Sequence, residues 1–280
     1  MKCPNCQFEN PPGFAFCGKC GTPLATSPPP DALSEAELAH LSTYLPAPLT
    51  ESLRLNAFAP PPHLLSQTLH HLAELLQTTI THFPAYLAAH IARRPIPGEA
   101  GGEFIAGTLL FADISGFTAM SERLSRIGQE GAEEITDIVN RHFNTMLAIL
   151  QAYRGELIKF GGDALLSLFH EPDSVTRAAQ AAMDMQAAMQ EFSAVKTSQG
   201  VFPLRMKIGL RRGRFFAARL GTAEGMEYAL FGRDVNATAA TESAAVAGQV
   251  LLNREALQAI TVPCRALPLD GNDNYVNLEP

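Results

Sequence analysis

Residues 108–118 have the sequence TLLFADISGFT, and this stretch decides the fold of the main domain. Its first part, Thr108–Ala112, is almost wholly apolar, which predicts a short strand buried on both faces of a sheet. The strand runs directly into Asp113. A carboxylate at the end of a buried strand lies at the mouth of the sheet, where it can bind a hard divalent cation. Taken alone, Asp113 could also be the N-cap of a helix.

A second carboxylate follows in the next predicted elements. Residues 133–153 carry apolar side chains on one face, which predicts a long helix. Residues 156–169, ELIKFGGDALLSLF, predict a β-hairpin with two glycines in its turn and Asp163 at a strand edge. Asp163 alone could be an ordinary turn residue. Together with Asp113, however, it gives the pair of carboxylates that two-metal phosphoryl transfer requires.

Composition limits the classes of protein that this chain can belong to. The 280 residues are 46% hydrophobic and 18% charged, with a net charge of −7. Such a chain can bury a core, and its charge argues against a nucleic-acid partner or binding to an anionic membrane surface. No apolar run is long enough for a membrane span, and the N-terminus does not resemble a signal peptide. We therefore expect a cytoplasmic protein.

Cysteine usage predicts a small metal module at the N-terminus. Two C-x-x-C pairs stand about ten residues apart within residues 1–25, and such pairs typically hold one structural zinc ion. The predicted zinc ligands are Cys3, Cys6, Cys17 and Cys20. Only two basic residues, Lys2 and Lys19, lie in this module, so a protein-contact or spacer role is favoured over nucleic-acid binding.

Residues 26–100 have the character of a Pro-rich and helical linker. Prolines at 28–30 and 60–62 mark its boundaries, and Ser34 followed by Glu37 predicts a helix N-terminus. Leucines at three- and four-residue spacing predict an amphipathic helix from Leu64 to Phe83. Its apolar stripe could pack on the main domain, which we favour, or pair with a second chain. At the other end of the protein, residues 269–274 have the composition of a polar tail.

Four stretches together closely resemble the catalytic domain of class III adenylyl/guanylyl cyclases, in particular the soluble-adenylyl-cyclase-like branch. They are residues 111–120, 155–166, 207–210 and 231–236, with the sequences FADISGFTAM, GELIKFGGDALL, KIGL and FGRDVN. They occur in the family's order between about residues 105 and 260. The resemblance implies an α+β fold with a ferredoxin-like βαββαβ core over residues 101–270. It also implies a cyclase that converts a nucleoside triphosphate to a cyclic nucleotide and pyrophosphate, with ATP favoured over GTP.

The resemblance also assigns roles to individual residues. Asp113 and Asp163, with the backbone carbonyl of Ile114, are expected to hold two Mg²⁺ or Mn²⁺ ions. Lys159 is expected to recognise the purine, although a strand lysine can simply face solvent. Asn236 is expected to position the ribose or the reacting phosphate, although it could instead cap a helix over residues 234–247. The complete nucleotide-binding set implied by the resemblance is Ile114, Gly116, Phe117, Thr118, Lys159 and Gly162.

Two positions depart from the family pattern. Ala229 stands where the family has an Asp or Thr that bonds the base, and Ala240 stands where it has an arginine that stabilises the transition state. Because the family builds each site from two head-to-tail subunits, these alanines favour a heterodimer, with this chain as the metal-bearing half, over a homodimer. A silent nucleotide-binding subunit and a docking adaptor stay open. The missing arginine could be replaced by one of Arg211, Arg212, Arg214, Arg219 and Arg233.

Overall fold

The structure is a computed structural model that describes residues 1–11, 14, 16–22, 24, 33–269 and 271–279. The predicted proline connector at residues 27–30 lies outside this described part. The chain divides into two compact units, Met1–His82 and Phe83–Pro280. No described helix combines the length and the apolar character that a bilayer-spanning helix needs.

Three helices follow the cysteine module in the first unit. They are α1 (Glu35–Leu41), α2 (Ala47–Leu55) and α3 (Pro62–Ile80). The predicted start of α1 is confirmed, because Ser34 and Glu37 form a reciprocal capping box. One side of α3 packs on α1 and α2 through Leu64, whereas Leu69 on its other side is exposed. The helix ends at Ile80, three residues before the predicted end.

The second unit contains one large sheet with helices packed against it. Its elements are α4 (Ala85–Arg93), β1 (Gly101–Ser115), α5 (Phe117–Ser125), α6 (Gln129–Ala152), β2 (Glu156–Gly161), β3 (Ala164–His170), α7 (Ser174–Ala188), a 3₁₀ turn (Met189–Phe192), β4 (Val195–Thr197), β5 (Gly200–Phe202), β6 (Arg205–Thr222), β7 (Gly225–Phe231), α8 (Arg233–Ala244), β8 (Val250–Asn253), α9 (Arg254–Gln258), β9 (Arg265–Leu269) and β10 (Asn272–Glu279).

The predicted ferredoxin-like core is confirmed. Strands β1, β2, β3 and β6, connected through α6 and α7, have the order β2-β3-β1-β6 in the sheet, and their pairings are antiparallel. The sheet continues through β8, β10 and β9, and β7 also pairs with β6. Leu109 and Leu110, which point to opposite faces of β1, are both fully buried, as the apolar run predicts.

The sheet curls so strongly that it encloses a second small core on one face. This core contains Ile105 from β1, Leu168 from β3, Phe215 from β6 and Leu230 from β7. The larger core lies on the other face, beneath α6 and α7. Because of the curl, β7 returns towards β2 although three strands separate them in the sheet.

Helix α4, which precedes β1, is attached to the β2–β3 hairpin. The Glu156 carboxylate accepts a hydrogen bond from the backbone N–H of Tyr86 at 2.5 Å and contacts His170 Nε2 at 2.7 Å. The Tyr86 ring stacks on His170, with 5.1 Å between ring centroids. The Glu156 side chain is only 10% exposed. These contacts join the start of α4 to both strands of the hairpin.

The prediction of a polar tail at residues 269–274 is wrong. Residues 272–279 form β10, which pairs with β8 and β9. The cause is the alternation that follows the polar stretch, because Val276 and Leu278 are buried in the larger core while their neighbours face outwards.

Close packing of α8 on β6 depends on a glycine. A Cβ atom at Gly209 would lie 2.4 Å from the backbone nitrogen of Glu242, so the helix would have to move. We expect Gly209→Ala to lower the free energy of unfolding by about 1–3 kcal/mol, the usual effect of overpacking. Urea denaturation measures it. Gly225→Ala is the matched control, because a Cβ there has no neighbour within 4 Å. Equal stability of the two variants would contradict this account of the packing.

Candidate metal and nucleotide site

Asp113 and Asp163 lie at the same end of the sheet. Ala112, the residue before Asp113, pairs with Leu165 of β3, and Asp163 lies two residues before Leu165 in the turn between β2 and β3. Antiparallel pairing therefore brings the end of β1 next to this turn. The two carboxylates are close enough for the charge of Asp163 to affect the ionisation of Asp113.

The electrostatics at Asp113 suit a divalent cation. Burial raises the pKa of Asp113, and the negative charge of Asp163 raises it further, while Lys207 opposes the rise. A raised carboxylate pKa means that a second negative charge is unfavourable at this place without a compensating cation. Carboxylate oxygens are also the ligands that Mg²⁺ and Mn²⁺ prefer. The residues present therefore fit the predicted metal site.

A buried ion pair lies beside these carboxylates and was not found by sequence analysis. Lys207 is paired directly across from Asp113 on β6, and its Nζ lies 3.6 Å from Asp113 Oδ2. The same Nζ lies 2.8 Å from Glu242 Oε1 on α8, whose side chain is only 6% exposed. Its bond to Glu242 raises the pKa of Lys207, so the lysine stays protonated. A fixed positive charge at the metal site is suited to attract phosphate oxygens.

The N-terminus of α5 adds further hydrogen-bond donors next to Asp113. Gly116 precedes the helix with φ of 95°, and a Cβ there would lie 2.5 Å from the carbonyl oxygen of Pro203, so glycine is required. Phe117 and Thr118 begin the helix, and the first backbone N–H groups of a helix have no intrahelical acceptor. Such a terminus binds anions well. This arrangement suits a role of Ile114, Gly116, Phe117 and Thr118 in nucleotide binding.

A largely apolar cavity lies beside Asp163. Ile114, Phe117, His142 and Asp163 contribute to its walls, together with Gly162, whose φ of 71° allows the turn. Burial lowers the pKa of His142 to about 4, so the imidazole is neutral at physiological pH. An apolar wall of this kind lowers the local dielectric constant next to Asp163 and strengthens the attraction of its carboxylate for cations.

Lys159 projects from β2 into solvent, where it meets a carboxylate from β7. Its Nζ lies 2.8 Å from Glu227 Oε1, and the side chains are 63% and 62% exposed. Ala229 lies two residues after Glu227 on the same strand and therefore on the same face. The structure thus brings Lys159 close to the strand that carries Ala229, and Glu227 is a further residue that sequence analysis missed.

Asn236 lies in the first turn of α8, and its side chain is exposed. The alternative that Asn236 caps this helix is wrong, because the N-cap is Gly232 and the helix already starts at Arg233. Ala240 lies one turn further along on the same face and is exposed as well. Asn236 is therefore free to contact a ligand.

Ala240 stands where the family has an arginine, and five other arginines of this chain are candidates to replace that arginine. These candidates have other contacts. Arg211 lies 3.7 Å from Asp234, Arg212 Nε donates to Glu171 at 2.8 Å, Arg214 stacks over Phe104, and Arg219 Nε donates to the backbone carbonyl of Glu99. Arg233 is 91% exposed and lies 3.9 Å from Asp234, and it precedes Ala240 by two turns of α8. The described structure thus offers no arginine at the place of Ala240.

Comparison with known proteins identifies the second unit. Residues 103–272 match the family described as the adenylate and guanylate cyclase catalytic domain. The chain belongs to this family. Human adenylate cyclase type 10 is 27% identical over 179 residues, which are 60% of this chain and 11% of that protein. The chain therefore spans about a tenth of the length of this relative.

Two solved cyclase structures show the same fold. The adenylyl cyclase CyaB from P. aeruginosa is 25% identical, with a TM-score of 0.53 over 64% of this chain and 96% of that one. The guanylyl cyclase Cya2 is 28% identical, with a TM-score of 0.50 over 64% of this chain and 92% of that one. The predicted cyclase family and fold are confirmed, and the similar structures include cyclases of both nucleotide specificities.

The cyclase match begins after the cysteine module, which has a match of its own. Residues 3–36 match the family described as a double zinc ribbon. The four predicted ligand sulfurs, those of Cys3, Cys6, Cys17 and Cys20, lie within 4.8 Å of one another. Tetrahedral zinc–sulfur bonds of about 2.3 Å place sulfurs about 3.8 Å apart. The Cys3–Cys20 and Cys6–Cys17 separations of 3.6 and 3.5 Å therefore fit zinc.

We expect the cysteine module to bind one zinc ion. Replacing Cys3 and Cys17 by serine removes two of its four thiolates, so about one equivalent of zinc should be lost. Elemental analysis of the purified chain measures it. Cys264→Ser is the control and should keep the zinc, because Cys264 lies outside the cluster. Undiminished zinc in the double variant would contradict the assignment.

Proposed function

We propose that the second unit is an adenylate cyclase domain that converts ATP to cyclic AMP and pyrophosphate. The observation that carries the proposal is the pair of carboxylates Asp113 and Asp163 beside the protonated Lys207. Human adenylate cyclase type 10 and CyaB, both named as adenylate cyclases, support ATP as the substrate. The reaction joins the ribose 3′-oxygen to the α-phosphorus, releases the proton of the 3′-hydroxyl to solvent, and breaks the bond between that phosphorus and the oxygen of the leaving pyrophosphate.

Each residue at the sheet end has a role in this proposal. Asp113, Asp163 and the backbone carbonyl of Ile114 would hold two divalent ions. When bound, such ions would lower the pKa of the attacking hydroxyl and offset the charge of the leaving pyrophosphate. Lys207 binds phosphate oxygens and is held in place by Glu242. The backbone N–H groups at the start of α5 orient the triphosphate. Asn236, exposed on α8, orients the ribose or the α-phosphate.

We further propose that this chain is the metal-bearing half of a head-to-tail dimer. Asp113 and Asp163 supply the metal ligands, but the exposed face of α8 presents Ala240 in place of an arginine. A methyl group cannot stabilise the charge that develops on the phosphorus. A partner domain with an arginine at that position completes one site per heterodimer. Cytoplasmic signalling through cyclic AMP is the corresponding biological role.

A second function is favoured by the same alanine. With no arginine at position 240, the domain could bind a metal-nucleotide without cyclising it and act as a regulatory subunit. A cyclase assay with Mn²⁺, on the chain alone and then mixed with a cyclase domain that carries the arginine, separates the two functions. Cyclic AMP in the mixture supports the catalytic role. Nucleotide binding with no product in any mixture supports the silent subunit.

The metal site can be tested by binding. We expect Asp113→Asn or Asp163→Asn to weaken binding of a non-hydrolysable Mn–ATP analogue at least about tenfold, because each removes a charged ligand. Isothermal titration measures the affinity, and circular dichroism checks the fold. Asp137→Asn on the exposed side of α6 is the control and should bind normally. Parent-like affinity of the Asp113 and Asp163 variants would refute the two-metal site.

The missing arginine can be tested by restoring it. We expect the unmodified chain alone to be about 10³-fold less active than a complete cyclase, because it lacks the charge that stabilises phosphoryl transfer. Ala240→Arg should raise cyclic AMP production by a homodimer. Ala240→Gln, which is long and polar but uncharged, should leave it low. High activity of the unmodified chain would overturn the heterodimer proposal.

A further inference from the structure

The Lys159–Glu227 pair is placed where a base-binding site needs both a donor and an acceptor. An exposed ion pair contributes little to stability, so packing alone gives no reason for it. Its position is specific, however. Lys159 lies four residues before Asp163 on the hairpin that carries the metal site, and Glu227 lies on the strand that leads into α8 with Asn236.

The alternation of β7 fixes the direction of the Glu227 side chain. Tyr228 and Leu230 pack against the second small core, so Glu227 and Ala229 point to the opposite, outer face. Glu227 can therefore offer a carboxylate on the face where Ala229 offers only a methyl group. Both side chains of the pair are long and exposed, so their ends can separate to admit a flat ligand between or beside them.

We infer that Glu227 is the residue that recognises the purine amino group, in partnership with Lys159. This inference rests on the proposed function and concerns the site of the head-to-tail dimer that takes its metal ions from the other subunit, which is a second copy when the chain is tested alone. An ammonium group only donates hydrogen bonds and an ionised carboxylate only accepts them. Adenine presents an acceptor, N1, beside a donor, the N6 amino group. Lys159 donates to N1 and Glu227 accepts from the amino group, which replaces the contact that Ala229 cannot make.

The charges of this pair also define what the site rejects. A purine that lacks the 6-amino group leaves the Glu227 carboxylate without its donor, and an unpaired polar partner lowers affinity. Glu224 serves as an internal comparison. It is also exposed and lies on the turn between β6 and β7, but its carboxylate accepts a hydrogen bond from the hydroxyl of Thr222 at the end of β6 instead of pairing with Lys159.

The test compares ATP with purine riboside 5′-triphosphate, which lacks only the amino group. Competition against a fluorescent Mn-nucleotide, at protein concentrations that favour the dimer, gives both affinities. The unmodified chain should prefer ATP by about tenfold, as expected for one hydrogen bond to a charged group. Glu227→Ala should lower the affinity for ATP and bring the ratio to about one. Glu224→Ala should keep the ratio, and both variants should have the thermal unfolding midpoint of the parent.

The outcomes separate this inference from the proposed function. Equal affinity of the unmodified chain for the two nucleotides, or an unchanged ratio in Glu227→Ala, overturns the role of Glu227 but leaves the metal site standing. A preference for ATP that disappears only in Glu227→Ala supports it. Failure of the unmodified chain to bind either Mn-nucleotide overturns both this inference and the cyclase proposal.

Discussion

β1 is paired with β6 along its whole length, from Gly101 opposite Arg219 to Ser115 opposite Arg205. This single antiparallel register places Asp113 directly across from Lys207 and determines which face of β1 is buried beneath α6 and α7. Side chains alternate along a strand, so a shift of one residue would turn Asp113 to the other face, away from Lys207, and would exchange the β1 side chains that face the two cores. The metal site, the larger core and the small second core all depend on this register.

Sequence patterns predicted the elements that are determined locally. Thr108–Ala112 is almost wholly apolar, the hairpin has two glycines in its turn, and Ser34 and Glu37 form the expected cap. Each of these signals lies within a few neighbouring residues, so it does not depend on the rest of the fold. Asp113 and Asp163 were found in the same way, because Asp113 follows the apolar run of β1 and Asp163 lies in the glycine turn before β3, and both patterns are visible in their own neighbours.

The residues that sequence analysis missed are joined by contacts between distant segments. Glu242 lies 35 positions after Lys207, and Glu227 lies 68 positions after Lys159, so nothing in the local pattern marks them as partners. Asn236 was open to a capping role because the helix start was uncertain by a few residues, which is enough to change the function of a polar side chain there. The C-terminal strand β10 was hidden by its polar first residues, and only its pairing with β8 and β9 makes it a strand.

The attachment of α4 to Glu156 has a mechanical consequence. Glu156 begins β2, and Asp163 follows the end of that strand, so at about 3.3 Å per residue the two ends of the hairpin are some 20 Å apart. β2 pairs with β3 at both of its ends, with a shift of register between Leu157 and Lys159. A displacement of the first turn of α4 therefore has three outcomes. It breaks the Glu156 contacts with Tyr86 and His170, it bends β2 at this shift, or it tilts the hairpin and moves Asp163 relative to Asp113. The distance between the Asp113 and Asp163 carboxylates is thus coupled, through β2, to the position of α4, the helix that precedes β1.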